Sequence, residues 1–276
     1  MVYASKIHTP QGADDRAIMK AIGEKCNAIA ENFPISGIGV GTPGLINKKA
    51  GTVSAANLPF DKSPIADYLK EEIDLPVFLE NDACCAAIGE AYLGVKAKNM
   101  LMITLGTGFG GGIVIDKKIY SGTGSAGEIG HICINPKGIK CGCGATGCWE
   151  TYASVTALIR QIKEAIEKNP DSILAQVVKE DGHVNGKTLF KALDKNCPVA
   201  EEVFEEYTDY LAIGIRSIIM TFDPDTIVIG GAISKEGDRL LDPIRKKVNL
   251  ETPIKISVLQ NSAGAIGAAL LPKLNK

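Results

Sequence analysis

Residues 76–91 (PVFLENDACCAAIGEA) and 254–269 (IKISVLQNSAGAIGAA) share one layout. Each runs from an apolar β-type segment through Asn to a helix of small residues containing Ala-Ile-Gly, with a shift of two residues between the Asn and the Gly. A strand that feeds a helix in two distant places constrains the chain to an α/β arrangement, and a repeat of this length is not a solenoid. It implies two related α/β lobes, with the cleft between them as the natural place for a ligand. Chance likeness between strand-to-helix units is the competing explanation.

The rest of the chain keeps the same alternation. Residues 14–32 carry Ile18, Ala21, Ile22, Ile29 and Ala30 at helical spacing. ISGIGVG then reads as a strand, followed by TPG, a polar loop, a helix at about 63–72 and a strand from Pro76. Asp82 stands at the N-cap position of the small-residue helix that follows. Towards the end, 198–222 reads as one long helix, TIVIGG as a strand, then a helix, IKISVLQN as a strand and SAGAIGAALL as a helix.

Composition narrows the function classes. With 276 residues, 45% of them hydrophobic, the chain can bury a core without cross-links. Its eight cysteines are too sparse for a disulfide scaffold, and MVYASKIHTPQG has neither a signal-peptide nor a transit-peptide pattern, which together point to a reducing cytoplasm. No apolar run reaches membrane-spanning length. Thirty basic against 32 acidic side chains, without blocks of one sign, leave no footprint for nucleic acid or an anionic membrane. A small ligand is the expected partner.

Three stretches carry chemistry. In LMITLGTGFGGGIVIDKKIY, Gly106, Gly108 and Gly111 satisfy G-x-G-x-x-G, but a strand follows where a dinucleotide fingerprint requires a helix, and no G-K-[ST] completes the hairpin. What remains is a glycine hairpin whose backbone N–H groups can approach a phosphate, with the Thr107 hydroxyl as a further donor. Five glycines in the seven positions 106–112 exceed what a turn requires. Asp82, at a strand end, is either a plain helix cap or a carboxylate able to draw a proton from an attacking alcohol, with Asn81 beside it to orient a hydroxyl.

The third stretch, HICINPKGIKCGCGATGCWE at 131–150, holds four of the eight cysteines. His131, Cys141, Cys143 and Cys148 supply one imidazole and three thiolates, the set that a closed tetrahedral zinc site takes. HICIN is β-like, which puts His131 and Cys133 on one face, and Cys133 reads as a packed core thiol. His8 and His183 lack such company and read as surface residues.

Together with the SAGEIGH run ending at His131 and the END motif Glu80-Asn81-Asp82, the glycine hairpin and the C-x-C-G-x-x-G-C-x-E cluster resemble the ROK family of bacterial sugar kinases and sugar-responsive repressors. The likeness covers essentially the whole chain in order. It implies an α/β, two-lobed actin-like/hexokinase (ribonuclease H-like) fold with an interlobe cleft. Residues 1–100 would form a smaller lobe on which the C-terminal helix packs back, and 101–276 a larger lobe carrying the metal-binding loop 131–150. The implied activity is ATP-dependent phosphorylation of a hexose at its 6-hydroxyl, glucose foremost, with N-acetylmannosamine or fructose as alternatives.

The resemblance also implies roles. Asp82 would be the base; Asn81, Asn57, Glu128, His131 and Glu150 would contact the sugar along with it. Thr107, Gly108, Gly110 and Gly111 would hold the phosphates of ATP with Mg2+, and Gly230 and Gly231 would lie near the adenosine. His131, Cys141, Cys143 and Cys148 would hold a structural Zn2+, with His131 giving its second ring nitrogen to the sugar. A homodimer or homotetramer is the family's habit.

Two departures from the family pattern set further expectations. END is followed by Ala83-Cys84 where the family has Ala-Asn. The family also opens with a strand, a D-x-G-G-T turn and a second strand, none of which appears here, so VYASKIHTP matches its third strand. Exposed sheet edges and weak or no turnover by residues 1–276 alone are therefore expected, with a non-catalytic sugar binder as the alternative. The residues ahead of the first helix leave no room for a DNA-binding helix-turn-helix, which disfavours a repressor.

Overall fold

The computed structural model of the chain describes residues 3–10, 12–55 and 57–275. Its elements are, in order, α1 (Asp15–Ala30), β1 (Ile38–Thr42), β2 (Leu45–Asn47), β3 (Thr52–Ala55), β4 (Phe60–Ser63), α2 (Ile65–Glu72), β5 (Val77–Asn81) and α3 (Asp82–Tyr92). The hairpin strands β6 (Met100–Leu105) and β7 (Phe109–Ile115) follow, with β8 (Lys118–Ile119). Next come the helices α4 (Glu150–Ala153), α5 (Val155–Lys168), α6 (Ile173–Asp181), α7 (Gly186–Asp194) and α8 (Pro198–Phe222). The chain closes with β9 (Thr226–Gly231), α9 (Asp238–Val248), β10 (Ile254–Ile256) and α10 (Ala263–Leu274).

The duplicated sequence layout is also a duplicated topology. β1 and β5 are parallel neighbours in register from Ile38 opposite Val77 to Thr42 opposite Asn81, and α3 follows. β9 and β10 are likewise parallel neighbours, Ile254 opposite Ile227, and α10 follows. The second unit belongs to a five-stranded sheet ordered β10-β9-β6-β7-β8, in which β6 pairs parallel with β9 and antiparallel with β7.

Strand alternation decides which helices cover which face. In β5, Val77 and Leu79 join Ile18 and Met19 of α1 and Ile65 and Leu69 of α2, while Phe78 packs on Cys85, Ile88, Ala268 and Leu271 of α3 and α10. In β6, Leu101, Ile103 and Leu105 enter the large core beneath α5 and α8, whereas Met100 and Met102 meet Ala86, Ala87 and Ala91 of α3. Both sheets thus lie against α3, and every residue of it from Ala83 to Ala91 is buried. A helix enclosed on all sides must be apolar all round, and here also small. Its one buried charge, Glu90, is satisfied by the Ser257 hydroxyl at 2.6 Å and the Leu259 N–H at 2.7 Å.

Four expectations need correction. The polar loop after β1 is a three-stranded antiparallel sheet, β2-β3-β4, whose Ile46, Val53 and Phe60 reach the core that α1 and α2 close. Residues 3–10 form no strand; all are exposed and none pairs with a described strand. HICIN is not β-like: Ile129–His131 is a 3-10 turn, and the run contributes one isolated bridge, Cys133 opposite Cys148. Cys133 itself is exposed, because it shares the outward face with His131 while Ile132 and Ile134 turn towards the large core. His8 and His183 are exposed, as expected.

Candidate active site

The β5–α3 junction reverses the roles read from sequence for its two polar residues. Asn81, not Asp82, is the N-cap: its Oδ1 accepts from the N–H groups of Ala83 at 2.9 Å and Cys84 at 3.2 Å. Asp82 is the first helical residue, exposed, with Oδ1 accepting from the Ala83 N–H at 2.9 Å. The positive end of α3 favours a carboxylate at that place. One carboxylate oxygen is therefore tethered, and Oδ2 is left for other chemistry.

Glu128 and His131 come from the turn that ends the 121–131 loop. The His131 N–H donates to the Glu128 carbonyl at 3.0 Å, and this turn brings His131 Nε2 to 3.8 Å from Glu128 Oε2. Asn81 and Glu128 line one narrow cavity of about 10 Å³, no more than a water's worth of space, with Gly44, Lys48, Glu80 and Ser121 among its other walls. Asn57 stands exposed on the β3–β4 turn and does not line it. Lys48 and Glu80 carry no sequence signal as a pair: they lie 32 residues apart, and no periodic pattern links them.

The other ring nitrogen of His131 faces the thiols. His131 Nδ1 lies 3.6 Å from Cys141 Sγ, Cys143 Sγ lies 3.6 Å from Cys148 Sγ, and the four donor atoms are all within 4.8 Å of one another. A tetrahedral zinc with bonds of roughly 2.3 Å to sulfur separates its thiolates by about 3.8 Å, so the donor set fits that ion. Gly147 makes the knuckle possible. It has φ 79°, and a β-carbon there would lie 1.8 Å from the Asn135 carbonyl oxygen. The Ala145 backbone N–H holds the Cys143 thiol below its ordinary value, whereas burial pushes Cys148 up to about 12.

Directly after the last of these cysteines, the chain grips the glycine hairpin. Trp149 is fully buried, 4.3 Å from the Phe109 ring centroid to centroid, with its indole N–H donated to the Tyr210 carbonyl at 2.8 Å. Glu150 Oε2 accepts from the Phe109 N–H at 2.8 Å, Val155 N–H donates to the Gly106 carbonyl at 2.9 Å, and the Thr156 hydroxyl donates to the Thr107 carbonyl at 2.7 Å.

Packing accounts for three of the five glycines there. A β-carbon on Gly110 or Gly112 would press on Ala83 or Ala87 of α3 at 2.8 and 2.6 Å, and one on Gly111 would lie 2.2 Å from the Gly127 carbonyl oxygen. Gly106 has open space beside it, and Thr107 and Gly108 are exposed. The register Thr104 opposite Gly230 and Leu105 opposite Gly231 brings the β9 glycines beside this turn, at the carboxyl ends of two parallel strands. The chain does hold one Gly-Lys-Thr, Gly186–Thr188, but it opens α7, where Asn185 and Thr188 form a capping box. Asp181 occupies the place where a P-loop needs its first glycine.

Residues 1–274 match the ROK family. The chain belongs to the ROK family. A glucokinase of Halalkalibacterium halodurans is 42% identical over 250 residues, covering 86% of this chain and 76% of that relative. A xylose repressor of Caldicellulosiruptor bescii is 31% identical over 245 residues, covering 84% of this chain and 61% of the repressor. Among solved structures, a ROK family glucokinase from Streptomyces griseus in complex with glucose and AMPPNP is similar with a TM-score of 0.83 at 34% identity, covering 98% of this chain and 91% of that one. The ROK family fold of this chain is the actin-like sugar-kinase fold, in agreement with the α/β class expected from its sequence.

Proposed function

We propose that this ROK family chain transfers the terminal phosphoryl group of ATP to the 6-hydroxyl of a hexose, glucose foremost, in the cleft between a lobe at 1–100 and a lobe at 101–276. The enzyme class, a sugar kinase, rests on the family and on its glucokinase relatives. One observation carries the site: Asn81 and Glu128 flank the same narrow cavity, which has to widen to admit a sugar, Glu128 is 3.8 Å from His131, and Asp82 opens the helix beside them.

Asp82 Oδ2 takes the proton of the 6-hydroxyl as its oxygen attacks phosphorus, while the tethered Oδ1 holds the carboxylate in place. Asn81 offers its amide N–H to a neighbouring hydroxyl, its oxygen being spent on the cap. Glu128, His131 Nε2, Glu150 Oε1 and Asn57 complete the sugar contacts. Thr107 and the backbone at Gly108 receive phosphate oxygens, with Gly110 and Gly111 shaping the strand behind them; Gly230 and Gly231, where a β-carbon would strike Met102 and the Leu105 carbonyl, let β9 lie close to β6 near the nucleoside. Mg2+ accompanies ATP and offsets charge on its phosphates.

His131, Cys141, Cys143 and Cys148 hold a structural zinc whose role is to fix the His131 ring and the start of α4. The protein assembles as a dimer or tetramer of identical chains. Titration calorimetry with glucose tests the site: saturable binding that Glu128→Ala weakens at least about tenfold supports it, and no binding by the parent chain contradicts it.

A further inference from the structure

The small sheet β2-β3-β4 is fastened in two unlike ways. On one side Ile46, Val53 and Phe60 are buried with Ile18, Met19, Ile65 and Leu69 of α1 and α2. On the other, its polar attachment is one cation. The Lys48 ammonium, in the β2–β3 turn, forms an ion pair with Glu80 Oε2 and donates to the Ser121 hydroxyl at 2.9 Å. Among the described residues, no other side-chain hydrogen bond or ion pair joins residues 45–63 to the rest of the chain.

Both partners of Lys48 stand where the candidate sugar contacts leave the backbone. Glu80 directly precedes Asn81 and Asp82, and its Oε1 accepts from the Asn81 N–H at 3.0 Å. Ser121 begins the loop that delivers Glu128 and His131. Lys48, Glu80, Asn81, Ser121 and Glu128 line one cavity. Glu80 is only 4% exposed, so its charge has little water and depends on this ammonium.

We propose that Lys48 is a positioning residue for the sugar site. Its ammonium sets where the sheet that carries Asn57 stands relative to Asn81, Asp82 and Glu128. The proposal deepens the sugar-kinase reading and rests on it. Without the clasp, the apolar side of the sheet keeps the chain folded, but the cleft side loses its register. Sugar binding must then also order the sheet, so affinity for sugar falls while affinity for ATP, bound across β6, β7 and β9, does not.

Lys48→Met leaves the buried Glu80 without its counter-charge, so the decisive variant is Lys48→Met combined with Glu80→Gln, with Lys48→Arg as the conservative control. Calorimetry with glucose and with the non-hydrolysable analogue AMPPNP is expected to show the glucose Kd raised about tenfold or more in the double variant, AMPPNP within about twofold, and Lys48→Arg close to the parent. A double variant with the parent's melting temperature and a glucose Kd within about twofold overturns the proposal. A parent chain with no sugar affinity defeats the functional reading instead. The clasp then stands or falls by hydrogen exchange: amides of residues 45–63 exchange faster in the double variant if it is right, and unchanged exchange overturns it.

Discussion

Gly89 of α3 and Gly267 of α10 face each other where the two helices cross: a β-carbon on Gly267 would lie 2.9 Å from the Gly89 nitrogen and 1.7 Å from the Cys85 carbonyl oxygen. On Gly89 it would lie 2.5 Å from the Ala263 carbonyl oxygen. These are the glycines of the two Ala-Ile-Gly repeats, so the sequence duplication and the helix crossing are one feature.

An isolated helix gains about 1 kcal/mol from a Gly→Ala change, which would stabilise the chain if helix propensity governed these positions. Backbone contact governs them instead. Gly267→Ala is expected to destabilise by about 1–3 kcal/mol, and Gly89→Ala by a similar amount, read from urea midpoints. A rise in stability for either would show that the helices do not meet in this way.

The sole tryptophan reports on the metal knuckle. Trp149 follows Cys148 directly and lies on Phe109 of the hairpin. Stripping zinc with a chelator is expected to shift its emission to the red and to weaken glucose binding about tenfold, because His131 and Glu150 lose their support. Restored zinc should reverse both. Unchanged emission and unchanged glucose affinity after metal loss, checked by elemental analysis, would contradict the coupling.

Thiol labelling separates the cysteines by environment. Burial pushes Cys84 up to about 12, and Cys85, buried beside it, is raised further in the same direction. A thiol whose folded value is raised stays protonated, and so unreactive, until the pH climbs towards that value. At pH 8 iodoacetamide is therefore expected to label the exposed Cys133 and to spare Cys84 and Cys85 in the native protein. Rapid labelling of Cys84, seen by mass spectrometry, would mean that α3 is not enclosed.

Long, strongly patterned elements were legible from sequence because their signals are local. The helix at 198–222 and the strand TIVIGG have the bounds expected of them. The small sheet was not, since β2, β3 and β4 span only three or four residues each and owe their burial to α1 and α2. The metal donors were legible as a set of residue types, yet Cys133 was misplaced because alternation alone does not say which face is inward, and here Ile132 and Ile134 take the core side. At Asn81 and Asp82 the cap was placed one residue late, which matters here because it decides which side chain keeps a free oxygen. The surplus of glycines in the hairpin pointed to a phosphate rather than to a plain sharp turn; three of them answer to close packing by α3 and the 127–129 turn. Lys48 had no sequence signal at all, because its meaning lies in two distant partners.

The role of Asp82 tests the account most directly. Incubation of the chain with glucose and Mg-ATP, followed by phosphorus NMR, should show glucose 6-phosphate as the product at whatever rate the chain sustains. Asp82→Asn, which keeps the size and one carbonyl oxygen for the Ala83 N–H, should lower that rate by about a thousandfold or more while glucose still binds in calorimetry. Formation of glucose 6-phosphate by Asp82→Asn at the parent's rate would contradict the account.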